Sequence, residues 1–194
     1  MNCYDFDQTI FFPDSSYCFV MYCLRRFPRA VLSALPGTAL SLGAALLRLS
    51  DTRALKEQVF SFLPLLDDVD GIVEDFWDAH FDDGIAPWYL RQKRPDDLIV
   101  SASPEFLLRP AAERLGVRLI ATRMDRHSGR IIGKNCHDYE KTTRVLREYP
   151  GESIDEFYSD SLVDAPMARM AKRAWMVMGR DTLLPWPGEG ALRR

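Results

Sequence analysis

Two aspartates stand two residues apart in Asp5-Phe6-Asp7-Gln8-Thr9, and two more stand four apart in Ser159-Asp160-Ser161-Leu162-Val163-Asp164. Asp5 and Asp7 fall where an apolar run gives way to a polar turn, so both can present carboxylates at one end of a strand while Phe6 packs behind them. Carboxylates so placed repel each other, and a divalent cation relieves the repulsion. A hard, oxygen-rich site with few protein ligands and retained waters suits Mg²⁺. Each acid taken singly also fits a plain role. Asp7 can close a turn, and an aspartate in the first turn of a helix, as Asp164 would be, is favourable by about 0.3–1 kcal/mol without any function. Two acidic strand ends meeting at one edge are harder to explain that way.

The elements that must position these groups follow from periodicity. Met1 to Phe6 reads as a strand, with no leader expected ahead of it. From Asp14-Ser15-Ser16, good N-cap residues, the pattern is helical to about Arg94, in segments Tyr17–Phe27, Ala30–Leu49, Thr52–Leu63, Val69–Phe81 and Pro87–Lys93. The texture then changes. Asp97–Ser101 reads as a strand, Pro104–Leu115 as a helix stopped by Gly116, and Val117–Ala121 as a strand. Thr122–Gly133 reads as a hairpin with His127-Ser128-Gly129 at its tip, and Tyr139–Glu148 as a helix. Ile154–Tyr158 (strand), Leu162–Lys172 (helix) and Ala174–Met178 (final strand) precede a Pro/Gly-rich tail. Alternating strands and helices predict a parallel sheet with right-handed crossovers, in which ligands bind beyond the carboxyl ends of the strands. Those ends carry Asp5 to Thr9, Ser101-Ala102-Ser103 and Asp160 to Asp164.

These segments, in this order, resemble the haloacid dehalogenase superfamily of phosphatases. Asp5-Phe6-Asp7-Gln8-Thr9 matches its Asp-x-Asp-x-Thr first motif, Ser101 its second-motif serine, Lys141 its third-motif lysine, and Asp160 with Asp164 its fourth motif. The segments Ser101–Glu105 and Gly133–Lys141, with the helical insertion after motif one, are similar to the phosphoserine phosphatase-like branch, which includes phosphatidylglycerophosphatase C. Asp14-Ser15 also resembles a family segment at the entrance to the cap.

The resemblance implies a Rossmann-like α/β core over residues 1–13 and 85–194, with a helical cap inserted at 14–84. It also implies Mg²⁺-dependent hydrolysis of a phosphomonoester through an aspartyl-phosphate. Asp5 would be the nucleophile and Asp7 the general acid and then base, with Lys141 balancing the charge on Asp5 and the phosphate. Asp5, Asp160 and the Asp7 backbone carbonyl would hold the metal, and Asp164 would orient a metal-bound water or Lys141 from behind. Ser101, Ala102 and Lys141 are assigned to the phosphoryl oxygens at the start of a helix. Thr9, grouped with them, is expected to fix the first turn. Ser159 stands where the family commonly has glycine and is expected to crowd the metal turn and slow turnover at worst.

The remaining residues bound the function. The chain has 194 residues, 25 basic and 28 acidic side chains, and a formal charge of −3, so a broad phosphate-binding surface for nucleic acid is not expected. The cysteines at 3, 18, 23 and 136 lack zinc spacing and read as reduced thiols. His80, His127 and His137 have no mutual metal spacing and read as ordinary surface or packing residues. Trp77, Trp88, Phe76 and Phe81 read as cap core, and Arg25, Arg26, Arg91 and Lys93 as candidate substrate contacts. The uncharged run Ala30–Leu47, broken at Pro36-Gly37 and flanked by arginines, reads as a cap hairpin. Its alternative is a shallow interfacial anchor. The expected substrate is a small phosphorylated metabolite, and the expected place is the cytoplasm. The alternatives are a lipid-headgroup phosphate acted on by a protein peripheral to the inner face of a membrane, and a non-catalytic phosphate-binding module.

Overall fold

Three consecutive residues of the first strand, Asn2, Cys3 and Tyr4, are all buried, as expected only where a sheet is covered on both faces. In the computed structural model, which describes residues 1–34 and 52–188, that strand, β1 (Asn2–Tyr4), lies at the centre of a six-stranded sheet. Its partners are β2 (Leu98–Pro104), β3 (Arg118–Thr122), β4 (Ile154–Ser159), β5 (Ala171–Met178) and β6 (Thr182–Pro185), in spatial order β3-β2-β1-β4-β5-β6. All pairings are parallel except β5 with β6. The sequence runs outward from β1 in one direction through β2 and then in the other through β4. The gap beyond β1 and β4 is therefore the topological switch point at which such sheets take ligands.

Side-chain alternation divides the core. Tyr4 and Ile99 face one hydrophobic layer with α1 (Ser15–Arg26), α3 (Val69–Gly84), α4 (Pro87–Gln92) and α5 (Glu105–Leu115). Cys3, Leu98 and Val100 face the other, with α6 (Tyr139–Glu148) and α7 (Ala165–Met170). The helices between β1 and β2 also include α2 (Thr52–Val59) and a helical stretch at 28–34. The chain enters and leaves this insertion side by side: Phe11 bridges Ile85, and the Phe12 amide donates to the Gly84 carbonyl over 2.9 Å. Aromatic packing ties the insertion to the sheet. Trp77 is fully buried, lies edge-on to Phe6, Phe11 and Phe76, and donates its Nε1–H to the Leu107 carbonyl at 2.6 Å.

Local sequence sets the ends. The Asp14 side chain accepts from the Tyr17 amide at 2.7 Å and starts α1; Asp68 does the same for α3 through Gly71 at 2.9 Å. α5 stops at Gly116, whose φ of 69° is the left-handed C-terminal conformation that glycine adopts freely. The hairpin after β3 forms as expected, with reciprocal bonds Asp125 to Arg130 and Ile132 to Arg123. Gly129 at its tip, with φ 69°, packs so closely on the Phe60 carbonyl that a Cβ would collide with it.

Three expectations need correction. Leu162–Lys172 is not one helix but a 3-10 turn, Leu162–Asp164, followed by α7; β5 starts already at Ala171 because Ala171 pairs with Ile154. Second, Ala174–Met178 is not the last strand: Gly179, with φ 61°, turns the chain into β6, which pairs antiparallel back to β5. Third, Trp88 is not cap core; it packs against Tyr4 and Tyr158 of the sheet. Phe76 and Trp77 are buried as expected. Most of the expected Ala30–Leu49 helix and of the uncharged run lies outside the described residues. Among the described residues, no helix is long and apolar enough to cross a membrane.

Trp77→Ala empties a large volume at the junction of insertion and sheet. It is expected to cost about 3–5 kcal/mol, read as a lower urea midpoint at unchanged m-value.

Candidate active site

β1 ends at Asp5, whose amide donates to the Tyr158 carbonyl of β4 at 2.9 Å. The next turn folds tightly because the Phe6 carbonyl accepts from the amides of Ile10 and Phe11, at 2.9 and 3.0 Å, and Gln8 takes a positive φ of 55°. Phe6 is buried beneath, so Asp5 and Asp7 are both left at the carboxyl edge of the sheet. They line a cavity of about 370 Å³ together with Ser101, Ala102, Lys141, Asp160 and Asp164. Four segments far apart in sequence thus converge where the switch point lies.

Within the cavity the two acids are held differently. Lys141, in the first turn of α6, donates to Asp5 Oδ1 at 2.9 Å and to Asp164 Oδ2 at 2.7 Å, with only 2% of its side chain exposed. Burial alone would lower the Lys141 pKa, but the Asp5 and Asp164 carboxylates outweigh it and hold the ammonium above its ordinary value. Burial pushes Asp5 upward, against the pull of Lys141. Asp7 has no such cation. Its Oδ1 accepts the Ser15 amide at 2.6 Å and its Oδ2 the Ser103 hydroxyl at 2.5 Å. Burial and the Asp14 charge push its pKa up to about 6.

Asp160 is steadied by Thr9, whose Oγ1 accepts the Asp160 amide at 3.1 Å and lies 3.5 Å from Asp160 Oδ1. Thr9 is fully buried and does not line the cavity, so its expected place beside the phosphate is corrected to that of a clamp on Asp160. Ser159 does not project into the metal turn. Its Oγ donates to Asp164 Oδ2 at 2.8 Å and accepts the Ser161 amide at 3.1 Å, within the buried support of Lys141. Ser101 Oγ accepts the Ser103 amide at 3.1 Å, which curls the end of β2 around the cavity just before α5 begins.

The residues present fit a divalent cation. Asp5, Asp7 and Asp160 are oxygen donors at adjoining strand ends, and burial raises the pKa of all three, which a nearby positive charge would reverse. Among the described residues no three His, Cys, Asp or Glu side chains form a ready metal cage. A set of two carboxylates and a backbone carbonyl is of the kind Mg²⁺ accepts while keeping waters.

Two titratable lining residues escaped the sequence reading as site residues. Lys56 of α2 reaches in and donates to the Ala102 carbonyl at 2.7 Å and to Asn135 Oδ1 at 3.0 Å. Burial lowers its pKa to about 8, despite the pull of Asp7 and Asp14. His137, read as an ordinary histidine, lies on the lining too; burial, then the Lys56 and Lys141 charges, lowers its pKa. A lone lysine on an amphipathic helix carries no motif, so only the fold reveals it. The four cap cations expected at the site do not line it. Arg26 bonds Tyr22 and pairs with Asp75, Lys93 donates to the Leu115 carbonyl, and Arg25 and Arg91 are exposed at helix ends.

The fold has counterparts among known proteins. The haloacid dehalogenase-like hydrolase family model matches residues 3–169. A Bordetella pertussis Tohama I protein of unknown function is similar at a TM-score of 0.76 and 22% identity, covering 90% of this chain and 87% of its own. A phosphoserine phosphohydrolase-like protein from Francisella tularensis subsp. tularensis SCHU S4 gives 0.57 and 12%, covering 90% and 86%. A phosphoserine phosphatase structure described as a phospho-aspartyl intermediate analogue gives 0.56 and 14%, covering 89% and 83%. No curated protein sequence matches.

The lowered Lys56 pKa has a sign that can be measured. Between about 8 and the ordinary lysine value of about 10.4, the folded chain binds fewer protons than the unfolded one, so stability rises with pH there and ignores this group below about 8. The stability of wild type relative to Lys56→Met is therefore expected to grow from pH 8 to pH 10 in metal-free urea unfolding. A flat difference would give Lys56 an ordinary ammonium.

Proposed function

Because the chain belongs to the haloacid dehalogenase-like hydrolases, we propose that it is a Mg²⁺-dependent phosphomonoester hydrolase acting through an aspartyl-phosphate on Asp5, with residues 14–84 as a cap over a core of 1–13 and 85–194. The observation that supports this best is the different holding of two neighbouring carboxylates: Asp5 is bonded to a buried ammonium, while Asp7 is bonded only to neutral donors. An ammonium bonded to Asp5 favours the ionised form that a nucleophile needs, and an acid bonded only to neutral donors keeps its proton more readily.

In the first half-reaction an Asp5 carboxylate oxygen bonds to phosphorus as the bond from phosphorus to the alcohol oxygen breaks, and Asp7 gives its proton to that oxygen. The upward shift of Asp7 keeps a protonated fraction available near neutrality. In the second, Asp7 as carboxylate takes a proton from water, whose oxygen attacks phosphorus, and inorganic phosphate leaves Asp5. Lys141 neutralises Asp5 on approach and the phosphoryl oxygens afterwards, while Asp164 and Ser159 keep its Nζ in place. Ser101, with Ala102 and the start of α5, receives the phosphoryl oxygens. Mg²⁺, held by Asp5, Asp160 and the Asp7 carbonyl, would supply the positive charge that lets an anionic nucleophile meet an anionic phosphate. The phosphoserine phosphatase relatives support a small phosphorylated substrate.

Phosphate release from a panel of soluble phosphomonoesters tests the proposal. Turnover with Mg²⁺, its loss with excess chelator, and its abolition in Asp5→Asn at unchanged circular dichroism are expected. Asp7→Asn is expected to lower kcat/KM by about 10²–10⁴-fold. Undiminished activity in Asp5→Asn would remove the assigned nucleophile.

A further inference from the structure

A second cavity, of about 330 Å³, lies against the first. Its walls are Tyr17, Val20, Val31, Ala34, Val59 and Phe62, with Ser16 the one hydroxyl without a ring. Val31 and Phe62 are buried. Ser16 and Val59 line both cavities, so the two chambers share a wall. That wall is also where the acid points: Ser16 Oγ lies 3.1 Å from Ser103 Oγ, which donates to Asp7 Oδ2. If Asp7 protonates the alcohol oxygen, the carbon beyond that oxygen starts beside Ser16, at the edge of the apolar chamber.

We infer that this chamber receives the alcohol part of the substrate, and that the preferred substrate is a freely dissolved phosphomonoester whose alcohol carries a single apolar chain. The inference rests on the phosphomonoesterase reading above and deepens it. The polar half of such a molecule has its charges met in the first cavity, by Lys141 and the Ser101–Ala102 turn. Among the described residues no charged side chain lines the second cavity, whose polar groups are the Ser16 and Tyr17 hydroxyls, so a charged alcohol would lose its water there without compensation. Size sets the chain number. A space of about 330 Å³ suits one short chain and not two long acyl chains.

The experiment is a homologous series from ethyl to octyl phosphate, below micelle-forming concentrations and with Mg²⁺, on the full-length protein. Burial of each methylene predicts about a two- to fourfold rise in kcat/KM until the chamber is full. Val20→Phe and Val31→Phe narrow the chamber from two different helices, and neither residue lines the reaction cavity. Both are expected to reduce the preference for octyl over ethyl phosphate at least about tenfold. Two variants guard against one that fails to fold. Titration calorimetry with ethyl- and octylphosphonate, which are not hydrolysed, separates the two readings. If no ester is turned over, the phosphatase reading fails, yet tighter octylphosphonate binding that both variants weaken still supports the chamber. Turnover or binding independent of chain length overturns the chamber and leaves the phosphatase standing.

Discussion

The buried ammonium of Lys141 between Asp5 and Asp164 is the interaction around which the rest of the site is organised. Taking ions out of water is unfavourable by several kcal/mol each, and only close, correctly aimed opposite charges offset it. Here one cation meets two carboxylates at 2.9 and 2.7 Å. The arrangement requires β1, the start of α6 and the turn after β4 to arrive in register. Each has its own fixing device. Arg144, one turn beyond Lys141, ties α6 to the Ala121 and Lys134 carbonyls at 2.7 and 2.6 Å. The Asp5 amide is bonded to β4, and Ser159 holds Asp164. Removing Lys141 would leave two buried carboxylates facing each other, whereas removing a surface ion pair such as Arg26 with Asp75 would change little.

That triad leaves Asp7 outside the charge compensation, and the insertion is what holds it instead. The amide accepted by Asp7 belongs to Ser15, the first residue of α1, a helix started by Asp14. The orientation of the Asp7 carboxylate is therefore tied to the first turn of the insertion.

Much of this was legible before the fold. The acids and the serine sit at strand ends, and strand ends can be read from short apolar runs that stop at small polar residues. Tyr139–Glu148 is legible to the residue because its pattern is strongly amphipathic. What escaped has physical reasons. β6 is four residues long and largely exposed, so it lacks an apolar run; its one signal is Gly179 opening a three-residue turn. The helix expected over Leu162–Lys172 was cut short because pairing with β4 claims Ala171 to Met176, and tertiary pairing overrides local preference. Lys56 and the true places of Arg26 and Lys93 depend on which way a helix face turns, which periodicity alone does not fix.

The insertion is attached on two sides by different forces, and the difference shapes how its stability is distributed. On the side of α1 and α3, ring packing dominates, with Phe19, Phe76 and Trp77 fully buried against Phe106, Phe6 and Phe11. On the side of α2, polar contacts add to the packing of Phe60 on Phe106. Arg53 bonds the Ile131 and Gly133 carbonyls, Glu57 accepts the Ile131 amide, and Lys56 bonds Ala102 and Asn135. Buried aromatics contribute several kcal/mol each when whole side chains are lost, whereas a hydrogen bond exchanged with water contributes about 0.5–1.5 kcal/mol. The two sides also meet the cavity differently: α1 holds Asp7 through the Ser15 amide, and α2 brings Lys56 and Val59 onto its lining.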